Sequence, residues 1–216
     1  MKLVLHNYWR SSASYRVRIG LGLKQLAFEY VSVDLRSGGQ HTDAYRDKNP
    51  MAQVPTLELT GDDGEQISLT QSLPILEYLD ERWPEPPLLP AGVYLRAKAR
   101  MLAEVVNAGI QPMQNTATIA RVKQLGGIDV EWARPPIISG LSAFAKLAAE
   151  TARAFCVGDA PTIADICLVP QLYAARRYGV ELGEDCARLL AIEARCLALP
   201  AFANAAPERQ PDAVTS

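Results

Sequence analysis

The first third of the chain carries hydrophobic and polar residues in the patterns of short β-strands. The two types alternate over residues 2–8, and residues 28–33 are rich in β-branched and aromatic side chains. Two further apolar segments, 56–59 and 66–69, flank residues 61–64, which read Gly-Asp-Asp-Gly. Glycine and aspartate favour tight turns between strands. The pattern therefore predicts four strands, the last two of which form an antiparallel hairpin.

The pattern over residues 14–24 is ambiguous. Apolar residues alternate there with polar residues or glycine, a period that is typical of a strand. Ser11 and Ser12 are nevertheless good helix N-caps, and a helix would supply the crossover that two parallel strands require. The residues alone leave strand and helix both open and favour the helix slightly.

A helix is predicted to begin at residues 71–74, which read Gln-Ser-Leu-Pro. Serine can cap a helix, and proline is tolerated in a first turn whose N–H groups have no partner. Ile75, Leu79 and Trp83 then fall on one face of the predicted helix. The prolines within residues 84–91 can neither extend a helix nor join a central strand, so this stretch is predicted to be a linker.

These boundaries predict a first domain over residues 1–83, a linker over 84–91 and an all-helical second domain over 92–216. Apolar residues recur at helical spacing in three long stretches of the second domain: 94–107, 138–154 and 162–178. Thr162 and Asp165 have the spacing of an N-terminal capping box, which we interpret as a stabilising feature. The tail beyond Pro207 is expected to be loose or irregularly docked.

Composition and charge exclude several classes of function. The 216 residues include 22 Lys and Arg against 24 Asp and Glu, a net charge of -2, which provides no electrostatic footprint for nucleic acid or an anionic membrane. No segment approaches the roughly 20 apolar residues that span a bilayer, and the amino-terminal residues do not form a signal peptide. We therefore expect a cytoplasmic protein.

The cysteines and histidines provide no metal or dithiol chemistry. None of the four cysteines belongs to a CxxC pair, and we expect all four to be small buried hydrophobic residues: Cys156, Cys167, Cys186 and Cys196. Only two histidines are present, His6 and His41, so we expect no metal held by the protein. Any chemistry is therefore expected to use a reagent brought from outside.

Five motifs together resemble the cytosolic glutathione transferases and, among them, the zeta class, which contains maleylacetoacetate isomerase. They are SSASYRVRIGL at 11–21, NPMAQVPTL at 49–57, QSLPILEYL at 71–79, GIQPMQN at 109–115 and VGDAPTIADICLVPQ at 157–171. The resemblance covers essentially the whole chain. It implies an α/β thioredoxin-like N-terminal domain followed by an all-α C-terminal domain. It also implies a helix at residues 14–24 and a cis peptide bond at Pro55, where the alternative is a trans proline that opens a strand.

The resemblance implies that Ser11 and Ser12 activate the thiol of glutathione. A free thiol has a pKa near 8.5, and a hydroxyl donor together with backbone amides at a helix start would favour the thiolate. Ser11 is the expected donor. The chain departs from the family at Ala13, where the zeta signature has cysteine, so that thiol cannot act here. Either isomerisation does not require it, or this chain catalyses another glutathione reaction.

The remainder of glutathione is expected to meet three segments. Gln71 and Ser72 at a helix N-terminus suit the γ-glutamyl carboxylate, with a plain helix cap as the alternative. The Val54 backbone should pair with the cysteinyl backbone in the manner of an added strand. His41, or Gln40 in its place, should meet the glycyl carboxylate, unless His41 is an ordinary exposed loop residue.

For the second substrate, the resemblance assigns Gln111 and Asn115 to the wall over glutathione and Arg177 to a substrate carboxylate. An arginine fork suits a carboxylate bidentately. Without the resemblance, Arg176 and Arg177 would be a surface charge pair. Arg16 and Arg18 are expected to be structural and to pair with acidic groups between the domains or across a dimer.

The implied activity is glutathione-dependent cis–trans isomerisation of maleylacetoacetate, a small diacid, by thiolate addition, bond rotation and elimination. Maleylpyruvate is an alternative substrate. Conjugation or dehalogenation of small α-haloacids is an alternative reaction. A non-catalytic glutathione-transferase-like interaction module is the alternative from a different class of protein. The resemblance also implies a homodimer.

Overall fold

A computed structural model of the chain describes residues 1–214, which divide into two compact units. The first unit comprises Met1–Leu88 together with the chain from Leu199 onward, and the second comprises Leu89–Ala198. This division differs from the predicted second domain, 92–216, because the chain returns to the first unit after Ala198. The last two residues of that predicted domain lie outside the described residues.

The first unit is built on a four-stranded sheet. Its strands are β1 (Lys2–Asn7), β2 (Glu29–Ser32), β3 (Thr56–Thr60) and β4 (Gln66–Thr70). The sheet order is β2-β1-β3-β4, with β1 and β2 parallel and the other neighbours antiparallel. The predicted hairpin over the last two strands is confirmed. This mixed sheet with its helices is the thioredoxin-like architecture expected of the first domain.

Three helices alternate with these strands along the chain: α1 (Ser12–Leu23) between β1 and β2, α2 (Asp43–Arg46) between β2 and β3, and α3 (Ser72–Arg82) after β4. The ambiguous stretch is therefore a helix, and α1 is the crossover between the parallel strands. Val17 and Leu21 of α1 join the core with strand residues and with Leu79 of α3. Every residue from Ser14 to Leu21 is buried. A helix that packs on several sides shows no amphipathic period, which explains the misleading alternation.

The second unit, which the structure describes completely, is built from α-helices. These are α4 (Val93–Glu104), α5 (Thr116–Gln124), α6 (Asp129–Ala148), α7 (Ile163–Arg177) and α8 (Ala187–Leu197). A π-helical segment, Val105–Ile110, and a 3-10 turn, Gln111–Gln114, connect α4 to α5. The all-helical character predicted for this part of the chain is confirmed.

The capping box of α7 is confirmed and has an additional contact. Thr162 Oγ1 accepts a hydrogen bond from the Ala164 amide at 3.2 Å, and the Asp165 carboxylate accepts the Thr162 amide at 2.8 Å. The other oxygen of Asp165 accepts the Cys156 amide at 2.8 Å. Asp165 therefore ties the segment before α7 to the helix start. All four cysteines are buried and free, as expected.

The last described residues, 199–214, belong to the first unit. Helix α9 (Pro200–Ala205) packs against α1, where the Tyr15 hydroxyl donates to the Phe202 carbonyl at 3.4 Å. A 3-10 turn, Pro207–Arg209, follows, and the tail beyond it is docked by specific hydrogen bonds. Within residues 1–214, no helix has the length and hydropathy needed to cross a membrane.

Candidate active site

Three segments of the first unit meet at one end of the sheet, where β1 and β4 end and β3 begins. Thr56, the first residue of β3, pairs with His6 near the end of β1 and with Thr70 at the end of β4. The segments that follow β1, precede β3 and follow β4 are therefore neighbours. They contain the predicted residue pairs Ser11 and Ser12, Val54 and Pro55, and Gln71 and Ser72.

Ser11 is the N-cap of α1. Its backbone is extended, and its Oγ accepts the Ser14 amide at 3.2 Å. Because the hydroxyl uses a lone pair for the cap, its proton can still be donated outward. The amides of Ser12 and Ala13 belong to the first turn, where N–H groups have no intrahelical acceptor. The start of α1 therefore offers a hydroxyl proton and backbone amides at the positive end of a 12-residue helix.

The loop before Val54 is held by buried side chains. The Gln53 carbonyl accepts one hydrogen bond from Asn49 Nδ2 at 2.6 Å and another from the Tyr45 hydroxyl at 2.7 Å. The Val54–Pro55 peptide bond is cis, which confirms the expectation for Pro55. Val54 is 9% exposed and packs with Tyr45 in a hydrophobic cluster. These hydrogen bonds and this packing therefore hold the Val54 backbone in place.

Gln71 and Ser72 form the start of α3 in an unexpected way. Gln71, not Ser72, is the residue that precedes the helix, and it has a φ of 70°. A residue with a side chain in this region costs on the order of 1–3 kcal/mol and is typical of functional sites. Ser72 is the first helical residue, and its Oγ accepts Arg16 Nη1 at 3.2 Å. The buried guanidinium of Arg16 adds positive charge beneath the helix start.

Gln40 and His41 lie in a 3-10 turn, Gly39–His41, that follows Gly38 with a φ of 77°. Gln40 is only 7% exposed, and its Nε2 lies 3.1 Å from Nε2 of His41. Its Oε1 is buried and has no hydrogen-bond partner among the described residues. His41 is exposed. The buried, incompletely paired group of this turn therefore belongs to Gln40.

The sequence of the chain is similar to those of known proteins. The family model for the N-terminal domain of glutathione S-transferase matches residues 5–87. The maleylacetoacetate isomerase of Dictyostelium discoideum is 42% identical over 98% of this chain and 96% of its own. The chain belongs to the zeta class of glutathione transferases, the maleylacetoacetate isomerase family.

Solved structures of zeta-class relatives share the fold over nearly the whole chain. A maleylacetoacetate isomerase from Anaeromyxobacter dehalogenans, solved with glutathione bound in its active site, has a TM-score of 0.90 and 49% identity, covering 99% of this chain and 98% of that one. It was also solved with dicarboxyethyl glutathione and citrate in the active site. The holo structure of a bacterial zeta-class maleylpyruvate isomerase has a TM-score of 0.91 and 36% identity, covering 98% and 100%.

In this zeta-class chain, the remaining predicted residues lie in the second unit. Gln111 opens the 3-10 turn, and its buried Oε1 has no partner among the described residues. Asn115 is the N-cap of α5, where its Oδ1 accepts the Thr116 amide at 2.9 Å. Arg177 is the last residue of α7 and is exposed, with its guanidinium 5.8 Å from the ring of Tyr178. Arg176 is more than a solvated surface charge, because the Arg176 guanidinium binds the Glu193 carboxylate.

One partly buried amide pair of the second unit is not evident from the sequence pattern. Gln114 Nε2 donates to Gln171 Oε1 at 2.6 Å, and Gln171 is 1% exposed. Both residues lie inside motifs that carried the resemblance, GIQPMQN and VGDAPTIADICLVPQ. The motifs therefore contained the pair, but residues 57 positions apart show no pairing in a one-dimensional pattern.

The thiols of the chain itself are poorly suited to nucleophilic chemistry. All four lie in the second unit and are buried. Burial raises the pKa of Cys156 well above its ordinary value, and the nearby Asp165 carboxyl raises it further. Burial likewise raises the pKa of Cys186 and of Cys196. In residues 1–214, no three His, Cys, Asp or Glu side chains cluster as metal ligands would.

Proposed function

We propose that this chain is a glutathione-dependent cis–trans isomerase that converts maleylacetoacetate to fumarylacetoacetate in the cytoplasm, as a homodimer. The N-termini of α1 and α3 flank the supported Val54 backbone at one end of the sheet, and we call this arrangement the cradle. The cradle is the observation that carries the proposal. Two helix starts beside an extended backbone suit a peptide that carries an anionic sulfur and a carboxylate. The buried cysteines leave the thiol to be supplied by the ligand.

Ser11 and Ser12 are assigned to the sulfur. The Ser11 hydroxyl proton and the first-turn amides of α1 stabilise a thiolate relative to a thiol, which lowers the thiol pKa. Bound glutathione supplies the nucleophile that adds to the cis double bond, allows rotation about the resulting single bond and leaves again. Ala13 adds no thiol of its own, and the proposed roles of Ser11 and Ser12 do not require one.

The other groups of glutathione are assigned by charge and backbone geometry. The γ-glutamyl carboxylate meets Ser72 and the side chain of Gln71, with the Arg16 guanidinium beneath them. The Val54 backbone pairs with the cysteinyl residue. Gln40 meets the glycyl carboxylate in preference to His41, because the Gln40 side-chain amide is buried with an unpaired atom. An amide can present either its oxygen or its NH₂ group, so the same side chain can donate to a carboxylate.

The roles in the second unit are those that the family resemblance implies. Gln111 and Asn115 contact glutathione, and Arg177 holds a carboxylate of the diacid. The Oδ1 of Asn115 is used by the α5 cap, so its NH₂ group is the part available to a ligand. The Arg177 guanidinium is exposed and therefore accessible to a charged substrate.

Maleylpyruvate is the second candidate substrate. A maleylpyruvate isomerase shares the fold with a TM-score of 0.91, and the same addition, rotation and elimination would isomerise either maleyl diacid. Both substrates place a carboxylate and a ketone on the cis double bond. The cradle in the first unit binds the glutathione part, which is common to both reactions.

An absorbance assay with maleylacetoacetate and maleylpyruvate, each with and without glutathione, tests the proposal. We expect turnover only when glutathione is present and a higher kcat/KM with maleylacetoacetate. Turnover without glutathione, or no turnover with either diacid, would contradict the proposal. Sedimentation tests the homodimer, and a species near 23.6 kDa at all concentrations would refute it.

A further inference from the structure

The tail of the chain contacts the loop that leads to the proposed thiolate donor. The loop of residues 8–10 joins β1 to Ser11. Asp212 Oδ2 accepts the backbone N–H of Trp9 at 3.1 Å. The same oxygen accepts the hydroxyl of Ser32 at 2.8 Å, and Oδ1 accepts the hydroxyl of Tyr30. One carboxylate near the carboxyl end therefore connects β2 to the backbone two residues before Ser11.

Arg18 holds the carbonyl groups of the same loop. Its Nη2 donates to the Trp9 carbonyl at 2.9 Å, and its Nη1 lies 3.4 Å from the Tyr8 carbonyl. These two acceptors are neutral backbone groups of the first unit. Its Nε donates to the Ala205 carbonyl at 3.1 Å. Burial lowers the pKa of Arg18 to about 10, so the guanidinium remains charged near neutral pH.

Both backbone polar groups of Trp9 are therefore fixed by charged side chains. The carboxylate of Asp212 takes its N–H, and the guanidinium of Arg18 takes its C=O. Hydrogen bonds to ionised groups are roughly twice as strong as neutral ones. The next constraint along the chain is the Ser11 amide, which donates to the Tyr8 carbonyl at 3.0 Å. The position of Ser11 follows from these contacts.

The tail that carries Asp212 is itself anchored. Gln210 Nε2 donates to the Asn204 carbonyl at 2.9 Å and to the Ala206 carbonyl at 2.8 Å. Pro207 is buried, and Ala213 packs against the cluster that contains Tyr8 and Trp9. Asp212 is therefore presented by an ordered segment and not by a free end.

We propose that Asp212 is a positioning residue for the thiolate site, acting through the Trp9 backbone on Ser11. The inference rests on the proposed function of Ser11. A donor displaced by about 1 Å can cost up to about 100-fold in rate, even when the change lies far from the reacting atoms. Asp212 binds the N–H of Trp9 and Arg18 binds its C=O, so removal of Asp212 frees one of the two backbone groups of Trp9.

The test compares Asp212→Ala with Asp212→Asn in the full-length protein. Alanine removes the acceptor, whereas asparagine keeps one oxygen for the Trp9 amide. The first readout is the pKa of glutathione bound to the enzyme, followed by thiolate absorbance against pH. The second is hydrogen exchange of the Trp9 amide in the unliganded protein. The third is the division of the effect between kcat and KM for glutathione.

For Asp212→Ala we expect the bound thiol pKa to rise by about one unit and kcat at pH values below that pKa to fall about tenfold. KM for glutathione should change less than about threefold, because the α3 start and Val54 are untouched. Exchange of the Trp9 amide should accelerate at least about tenfold, since its acceptor is lost. Asp212→Asn should show less than half of each change, a rescue by the conservative variant.

Three outcomes would overturn the inference. If Asp212 acted through charge alone, both variants would lower the thiol pKa, because a negative charge has been removed. If its role were only structural, the thiol pKa would stay unchanged while stability fell, as expected for the control Lys24→Met. That control removes a buried ammonium bonded to Asp80 and to two carbonyls elsewhere in the first unit. Equal effects of alanine and asparagine would also refute it.

A milder variant covers the case in which Asp212→Ala does not fold. Tyr30→Phe combined with Ser32→Ala removes two of the three donors to the carboxylate and leaves Asp212 in place. We expect a smaller rise of the thiol pKa in the same direction, and an unchanged thiol pKa would overturn the inference.

Failure of the proposed function can be distinguished from failure of this inference. A wild-type protein that binds glutathione but isomerises neither diacid would contradict the proposed function. The thiol titration and the amide exchange would still decide the role of Asp212.

Discussion

Ser11 has two roles, as the cap of α1 and as the proposed donor to the thiolate. One oxygen atom serves both, and different substitutions should remove the two roles separately. Its Oγ accepts the Ser14 amide as the cap of α1 and, in the proposed function, donates its proton to the glutathione thiolate. Alanine removes both interactions. Aspartate keeps an acceptor for the cap but, when ionised, has no proton to donate. Threonine keeps both. The three variants therefore form a matched series at one position.

The magnitudes follow from the type of each interaction. Loss of a serine cap costs about 1 kcal/mol, so Ser11→Ala should be less stable by that amount. Aspartate caps a helix as well as serine does and interacts favourably with the helix dipole, so Ser11→Asp should match the wild type within about 0.5 kcal/mol. Loss of a hydrogen bond to a charged sulfur costs about 1.5–3 kcal/mol, which raises the thiol pKa by about one to two units.

Two assays on each variant check this reasoning. Urea unfolding followed by tryptophan fluorescence measures stability, and thiolate absorbance against pH measures the pKa of bound glutathione. We expect Ser11→Asp to combine normal stability with the largest rise in thiol pKa, because its carboxylate also repels the thiolate. Turnover at pH values below the thiol pKa should fall about 10- to 150-fold in Ser11→Ala. A normal thiol pKa in Ser11→Asp would refute the role of the hydroxyl as donor.

Three other substitutions test structural features of the two units. Gln71→Gly should stabilise the protein by about 1 kcal/mol, since glycine tolerates the positive φ, while weakening glutathione binding measured by calorimetry; a loss of stability would contradict the strain. Asp165→Ala leaves two buried amides without acceptors, so urea unfolding should show a loss of about 2–6 kcal/mol, far more than for the exposed Asp159→Ala. Burial alone would raise the pKa of Glu58, but hydrogen bonds from Lys48 and His6 outweigh it and hold the pKa below its ordinary value. A carboxyl with a lowered pKa stabilises the fold above its unfolded pKa and loses this effect as the pH falls through the folded pKa. The urea midpoint should therefore fall less steeply below about pH 5 in Glu58→Gln than in the wild type, and equal slopes would exclude this role.

Several elements could be predicted from the residues because their signals are local. The hairpin depends on the turn at residues 61–64, and its strands pair as predicted. The capping box depends on Thr162 and Asp165, three residues apart. Each signal involves backbone groups within about one helical turn or one tight turn, so the surrounding fold changes it little. The motifs that carried the family resemblance added the helix at 14–24 and the cis bond before Pro55.

The details of the candidate site depended on longer-range packing. The structure makes Gln71 the residue that precedes α3 and buries the amide of Gln40 beside an exposed His41, neither of which the pattern showed. Which of two adjacent polar residues is buried depends on what the rest of the chain places over them. Sequence spacing alone carries no such information.

What the sequence by itself determined is therefore the four strands, the helical character of the second unit, the local caps and turns, and the absence of a protein thiol from the first 88 residues. What only the tertiary structure decided is which distant groups share a hydrogen bond. Arg18 binds the Trp9 carbonyl, and Asp212 reaches the Trp9 amide across 203 positions. The physical reason is that buried polar backbone groups must be paired, and the fold determines which charged side chain is near enough to pair with them.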